Sequence, residues 1–465
     1  MWCVRVGGRN MGLCYDLLLA DGDVVFENGV RKANIAVKDG KIAAILAPGF
    51  VVEAKEVRVI EGLTVFPGLI DTHAHYWEPG PQNYREDFHH ATRCCARGGV
   101  TTTLEMPLSI PPVVDKPSFE LKYNVAKENS VIDFGLWGGC IPASIDRLEE
   151  MNELGCCAFK VFISYANPDY PHLPDHELCR AMEKVSKFGG MIAVHAENAD
   201  IVSNFCQWKK EEGIRQPSRY HEGRPAFSEV EAIQRAVLFS KVYGTDLLIC
   251  HMSAAEGVDA TLEARRQGHH VYTETCPHYL AYDNTRMDEC GAFAKCNPPI
   301  RPRDNLERLW DHVLNGNIDV IGTDHGPYSE QEKLEADNIW DALPGFGGVE
   351  LMLTIMITEG YVKRGLPLHQ IARMTSINAA RIFGLQQKGA IEVGKDADFA
   401  IVDLNRKWVY EGMKSFSKTL LDCGIFEGYQ SEAAVRETIV RGTTVYKDDT
   451  ITMDSGYGMF IPRQI

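Results

Sequence analysis

The chain has 465 residues, 45% of them hydrophobic and 24% charged, the composition of an ordinary globular protein long enough for a large core. Its 64 acidic and 48 basic residues give a formal net charge of -16, which repels polyanions and excludes nucleic acid or an anionic membrane as the main partner. No apolar run reaches the roughly 18 residues needed to cross a bilayer, and MWCVRVGGRN lacks the apolar region and cleavage site of a signal peptide. A cytoplasmic protein is expected. Its fourteen cysteines are scattered through apolar runs with no CxxC pair, so they are read as small buried hydrophobes rather than disulfides or a thiolate metal site.

From residue 15 to 66 the chain reads as short strands broken by turn residues: YDLLLADGDVVFENGV, ANIAVKDGKIAAIL, then a further piece ending at Val65. The far end is alike, with GAIEVGKDADFAIVDL and RETIVRGTTVYKDD, so the two ends are expected to pair into one small β-sandwich domain of residues 1–66 and 386–465. Residues 67–385 have another rhythm. Eight β-rich runs, GLIDTHAH, GVTTTLEM, VIDFGLWGG, GCCAFKVFIS, GGMIAVHAE, DLLICHMS, HHVYTETC and IDVIGTDHG, alternate with segments of helical periodicity such as DHELCRAMEKVSKFG and EVEAIQRAVLFSKVYG. Eight parallel strands with covering helices make an α/β protein with a closed (β/α)8 barrel. A doubly wound open sheet is the alternative, but no GxGxxG follows a strand.

Catalytic residues of such barrels lie at the C-terminal ends of the strands. There the sequence places His73 and His75, Lys160, His195, His251, and Asp324 followed by His325. Residues two apart in a strand point the same way, so His73 and His75 can face one ion. A lone His after a strand is usually a hydrogen-bonded loop residue; polar ligands at five strand ends are a metal-ligand inventory. With N and O donors only, zinc suits the set, as do manganese, cobalt and iron. Lys160, inside CCAFKVFI, is costly as a buried ammonium and cannot bind a cation. Two readings are open: carboxylation by carbon dioxide, giving an anionic carbamate that bridges two ions, or a buried lysine paired with an acid.

The DTHAH after a Pro-Gly strand, EMP after GVTTTL, the FK of the fourth run, HAEN, CHMS, CPHY, NPPIR, GTDHGP and NAARIFGLQQKG with GKDADF together resemble the cyclic amidohydrolases, over nearly the whole chain. That group holds allantoinases, hydantoinases, dihydropyrimidinases and dihydroorotases. The resemblance implies two divalent metal ions, one held by His73, His75, carboxylated Lys160 and Asp324, the other by Lys160, His195 and His251. It further implies that a metal-bridging hydroxide attacks a ring carbonyl while Asp324, as general base, carries its proton to the departing nitrogen. His325 is read as packing.

Dihydroorotases resemble this chain but carry an arginine and an asparagine where Trp77 and Leu108 stand, so a carboxylate grip is not expected here. The longest shared runs, among them AKCNPPIR and IFGLQQKG, resemble allantoinase, while Tyr165 stands where dihydropyrimidinases and D-hydantoinases have a substrate-binding tyrosine. Its other reading is a tyrosine packing on the barrel rim. The backbone of Asn297, with polar groups near Gly347 and Gly348, is expected to read the cyclic ureide edge. Related brain proteins keep the fold without the ligands and act as cytoskeletal scaffolds; the intact ligand set argues against that reading. Family resemblance implies a homotetramer.

Overall fold

The computed structural model describes residues 14–50, 52–165, 168–421 and 424–464. The first five strands are β1 (Tyr15–Phe26), β2 (Gly29–Lys38), β3 (Lys41–Leu46), β4 (Ala54–Val59) and β5 (Thr64–Pro67). β1 is irregular between Leu19 and Gly22, and its two halves have different parallel neighbours. Tyr15 to Ala20 pair with β4, and Asp23 and Val24 pair with β5.

The barrel follows. Its strands are β6 (Leu69–Ala74), β7 (Val100–Glu105), β8 (Asp133–Leu136), β9 (Gly138–Gly139), β10 (Phe159–Phe162), β11 (Met191–His195), β12 (Asp246–Ile249), β13 (Val271–Thr275) and β14 (Val320–Ile321). Each of the eight expected runs holds a strand, the third in two pieces. All neighbours are parallel, and VTTTLE, FKVF and MIAVH are buried at every residue, as strands covered on both faces must be. At Trp137 the backbone switches partner: its N–H donates to Glu105 O, and the next N–H, of Gly138, donates to Ala158 O. The ring closes beyond β14, where Asp324 N–H donates to His73 O and His75 N–H donates to His325 O.

Local chemistry sets the covering helices. Asp87 caps Phe88–Arg97 by accepting from His90 N–H, and Asp115 with Ser118 closes a capping box on Lys116–Asn129. Ala226–Tyr243 ends on Gly244, whose φ of 66° suits a residue without Cβ.

After the barrel come β15 (Phe399–Asp403), the ribbon of β16 (Trp408–Val409) and β17 (Gln430–Ser431), and then β18 (Ala434–Val440), β19 (Thr443–Lys447) and β20 (Thr450–Ile451). β15 pairs antiparallel with β5, from Phe399 opposite Pro67 to Val402 opposite Thr64, so both chain ends share one mixed nine-stranded sheet. One face buries Leu17, Val24, Ile35, Val65, Phe399 and Ile439. The last described segment leaves that sheet and runs along the barrel: Met459 O accepts from Phe134 N–H and Ile461 N–H donates to Phe134 O.

Twelve cysteines fall within the described residues; all are free and nine are buried. Cys3 and Cys423 lie outside them. No described helix is long and apolar enough to cross a membrane.

Candidate active site

The residues singled out at the strand ends converge. Asp324 Oδ1 lies 3.4 Å from His73 Nε2 and 3.2 Å from His75 Nε2. Lys160 Nζ is 3.4 Å from the same His73 nitrogen, and His195 Nδ1 is 3.1 Å from His251 Nε2. Burial lowers all four imidazoles below their ordinary pKa, and for His73 and His251 the Lys160 charge adds to it. They are neutral and have lone pairs to give. Burial alone would raise Asp324, but the His73 and His75 imidazoles and the Lys160 charge hold its carboxyl well below the usual range. Uncharged imidazoles around a carboxylate are the donor set of a divalent cation site.

The closeness has a cost in the backbone. His251 and Asp324 take φ of 33° and 50°, and Trp77 beside them 55°, a left-handed region that residues with side chains seldom occupy. The surrounding hydrogen bonds, including Asp324 N–H to His73 O at 2.9 Å, hold them there.

Lys160 differs from the other buried lysines in what it reaches. Five described lysines are buried, and four of them reach oxygen. Lys122 pairs with Glu105, Lys295 donates to Trp340 O, Lys333 to Leu343 O, and Lys388 faces Asp133, Asp396 and Asp398. Lys160 is fully buried and makes no salt bridge among the described residues. Asp324 and Glu274 feel its charge, but neither carboxylate comes within ion-pair distance of Nζ.

A cavity of about 350 Å³ opens above these atoms, lined by His73, His75, Lys160, His195, His251 and Asp324 at its base. Asn297 is on its wall, its Oδ1 accepting from Tyr220 OH at 2.7 Å. Tyr165 lines the mouth and is 63% exposed. Trp77 and Leu108 line it too, both uncharged. The expectation for Gly347 and Gly348 is corrected: they face His325 and Phe426 in a separate hollow, because the turn that reaches the cavity is the one before them, at Leu343, Pro344 and Gly345. His325 packs as expected, buried, with Nδ1 accepting from Gly348 N–H at 3.1 Å.

Residues 64–445 match the model of the amidohydrolase family. The chain belongs to that family. An allantoinase of Escherichia coli O139:H28 is 38% identical over 442 residues, covering 93% of this chain and 96% of the relative. Among solved structures, an L-hydantoinase (dihydropyrimidinase) from Arthrobacter aurescens superposes with a TM-score of 0.94 at 32% identity, covering 97% of this chain and all of that one. A dihydropyrimidinase from Brevibacillus agri NCHU1002 gives 0.88 at 28% identity, covering 96% and 98%.

Two buried carboxylates of this amidohydrolase that hold the candidate ligands are not singled out by the sequence. Glu274, fully buried on β13, accepts from Thr72 Oγ1 at 2.6 Å, meets His73 Nδ1 at 2.8 Å and accepts the N–H of His251 at 3.0 Å. It thereby fixes the His73 ring with Nε2 toward Asp324. Glu197 does the same from the other side, meeting His195 Nε2 at 2.8 Å while Arg224 clamps its carboxylate. The signal for Glu197 is its period-two spacing from His195 in HAEN. Cys250 comes within 4.8 Å of His73 and Glu274, but burial pushes its thiol up to about 12, so it is no thiolate ligand.

Proposed function

We propose that this metal-dependent cyclic amidohydrolase opens the five-membered ring of allantoin, or of a close hydantoin, by hydrolysing an acyl C–N bond. Two divalent ions, with zinc the first choice, are assigned to His73, His75, Asp324, His195, His251 and a Lys160 carboxylated by carbon dioxide. The observation that carries the reading is the fully buried Lys160, without an oxygen partner, among neutral imidazoles and a carboxylate at the floor of a cavity. Carboxylation replaces a cation that repels metal with an anion that offers two oxygens.

Bound there, the ions supply Lewis acidity toward a ring carbonyl and activation of a water. Asp324 Oδ1 takes the proton of the attacking water and returns it to the ring nitrogen as the C–N bond breaks, since an amide nitrogen leaves well only when protonated. Asn297 and Tyr165 on the cavity wall orient the ring's carbonyl and N–H edge. The near full-length likeness to an allantoinase supports the five-membered ring. The fit to an L-hydantoinase supports a second reading, in which 5-substituted hydantoins are the better substrates. The same reading makes the working form a cytoplasmic homotetramer.

Metal-loaded protein assayed on allantoin, hydantoin, 5-substituted hydantoins, dihydrouracil and dihydroorotate tests this. Allantoin or a close hydantoin is expected to give the highest kcat/KM; dihydrouracil leading by about tenfold or more contradicts it.

A further inference from the structure

The mouth of the cavity holds a cation in a fixed pose with part of its hydrogen-bonding capacity unused. Arg85, on the loop that leaves β6, is only 8% exposed. Its Nε and Nη2 both donate to Glu332 Oε1, at 2.9 and 2.6 Å. Its guanidinium lies over the rings of Trp77 and Tyr328, with Cζ 4.8 and 4.5 Å from their centroids. Glu332 is fixed in turn, accepting from Tyr84 OH at 2.7 Å and from Ser329 Oγ at 2.8 Å. Tyr84 OH also lies against the guanidinium, no hydrogen bond from Nη1 is found among the described residues, and Arg85, Trp77 and Tyr328 all line the cavity together with His73 and Asp324. A guanidinium clamped along one edge by a carboxylate presents its remaining N–H groups in a set direction. Burying such a donor under an apolar group costs free energy, whereas an acceptor there gains a charge-assisted hydrogen bond.

We propose that Arg85 reads the exocyclic substituent of the substrate through Nη1, selecting cyclic ureides whose substituent carries a neutral carbonyl acceptor, a ureido or carboxamide group, over those with an apolar one. This rests on the ring-opening reading and narrows its substrate class. Neutral acceptors are favoured over carboxylates for two reasons. Glu332 already balances the Arg85 charge, and Asp169, exposed at the same mouth, repels an anionic tail while suiting the N–H groups of a ureido or carboxamide. The grip comes from a position eight residues beyond Trp77, so the uncharged Trp77 does not leave the mouth without a cation.

The test compares wild type, Arg85→Gln, Arg85→Lys and Glu332→Gln on four substrates: allantoin, hydantoin, a 5-alkylhydantoin of allantoin's length, and hydantoin-5-acetate. Metal content is measured on each protein. Arg85→Gln is expected to lower kcat/KM for allantoin by on the order of 10–100-fold more than for the 5-alkylhydantoin, with metal content unchanged. Arg85→Lys, which keeps the charge and loses the planar fork, is expected to show the same ordering with a smaller gap, and it serves if Arg85→Gln fails to fold. Glu332→Gln is expected to shrink the allantoin preference by freeing the guanidinium. Equal losses on all four substrates overturn the assignment, leaving Arg85 a wall residue. A wild-type preference for hydantoin-5-acetate that Arg85→Gln abolishes overturns the neutral-acceptor claim in favour of an anionic tail. Wild-type protein that opens none of the rings contradicts the ring-opening reading itself, and this proposal with it.

Discussion

Asp324 combines two demands that one substitution separates. In the proposed reaction it faces the metal beside two imidazoles within 3.4 Å, and as a base it releases a proton to the leaving nitrogen. Asp324→Asn is expected to abolish ring opening even in protein that retains metal, and near-normal kcat in a metal-replete sample would remove Asp324 from the proton path. Glu274 makes a different kind of claim, because it meets His73 at Nδ1, the ring nitrogen turned away from Asp324. A Cβ on Gly322 would come within 2.6 Å of Glu274 Oε2 and 2.9 Å of Thr72 Oγ1. Gly322→Ala is therefore expected to displace that carboxylate, release the His73 ring and weaken metal binding by about 10–100-fold, measured against a metal buffer. Unchanged affinity would show that His73 needs no such support. The candidate ligands were legible because all but Lys160, which lies inside its run, stand at or near the end of a β-rich run, and His73 and His75 share the period of a strand. Glu274 was not: in HHVYTETC nothing local distinguishes a carboxylate facing β12 and β6 from one facing a helix, and only the closed barrel brings it to His73.

Between elements, the turn that forms one cavity wall hangs on two buried lysines. Lys333 Nζ donates to Leu343 O at 2.7 Å and to Ala292 O at 3.2 Å, while Lys295 donates to Trp340 O at 2.9 Å and its own carbonyl accepts from Gly345 N–H at 2.8 Å. Burial brings each ammonium down to about 7; for Lys333 the charge of Lys295 adds to it, and for Lys295 that of Arg224. The folded pKa lies below the unfolded one, so between about pH 7 and 10.5 the unfolded chain binds more protons and stability rises with pH. Each lysine contributes at most about 1.4 kcal/mol per pH unit in that window. Thermal melts from pH 7 to 9 are expected to climb, and Lys333→Met is expected to flatten the climb; an equal slope in the variant would place the effect elsewhere. This wall is also where sequence reasoning slipped by a few residues. The sequence pointed to the segment near Gly347 and Gly348, but the bond of Gly345 N–H to Lys295 O turns the segment before them toward the cavity.

At the scale of the molecule, barrel and terminal sheet are joined by charge as well as by apolar packing. Lys388, buried, reaches Asp133 at the start of β8 and Asp396 and Asp398 before β15, and Arg441 from the turn after β18 completes the group by pairing with Asp133. Removing the cation strands buried carboxylates, so Lys388→Met is expected to destabilise the fold by about 3–5 kcal/mol, read as an earlier denaturant midpoint. A midpoint unchanged from wild type would show that Arg441 alone satisfies the acids. Composition and rhythm made the barrel and the shared sheet legible, since strand runs and turn residues are local signals. The tail along β8 was not, because MFIPRQ carries no mark of the barrel edge it meets.

The central claim is that a metal cluster built on Lys160 opens a cyclic ureide. It is tested most directly by measuring bound metal and allantoin ring opening on the same samples of wild type and Lys160→Ala. The account predicts turnover that rises with metal to about two ions per chain in the wild type, and loss of both metal and turnover in Lys160→Ala, with partial rescue by short carboxylic acids. Full turnover in metal-stripped wild type, or normal metal and turnover in Lys160→Ala, would contradict it.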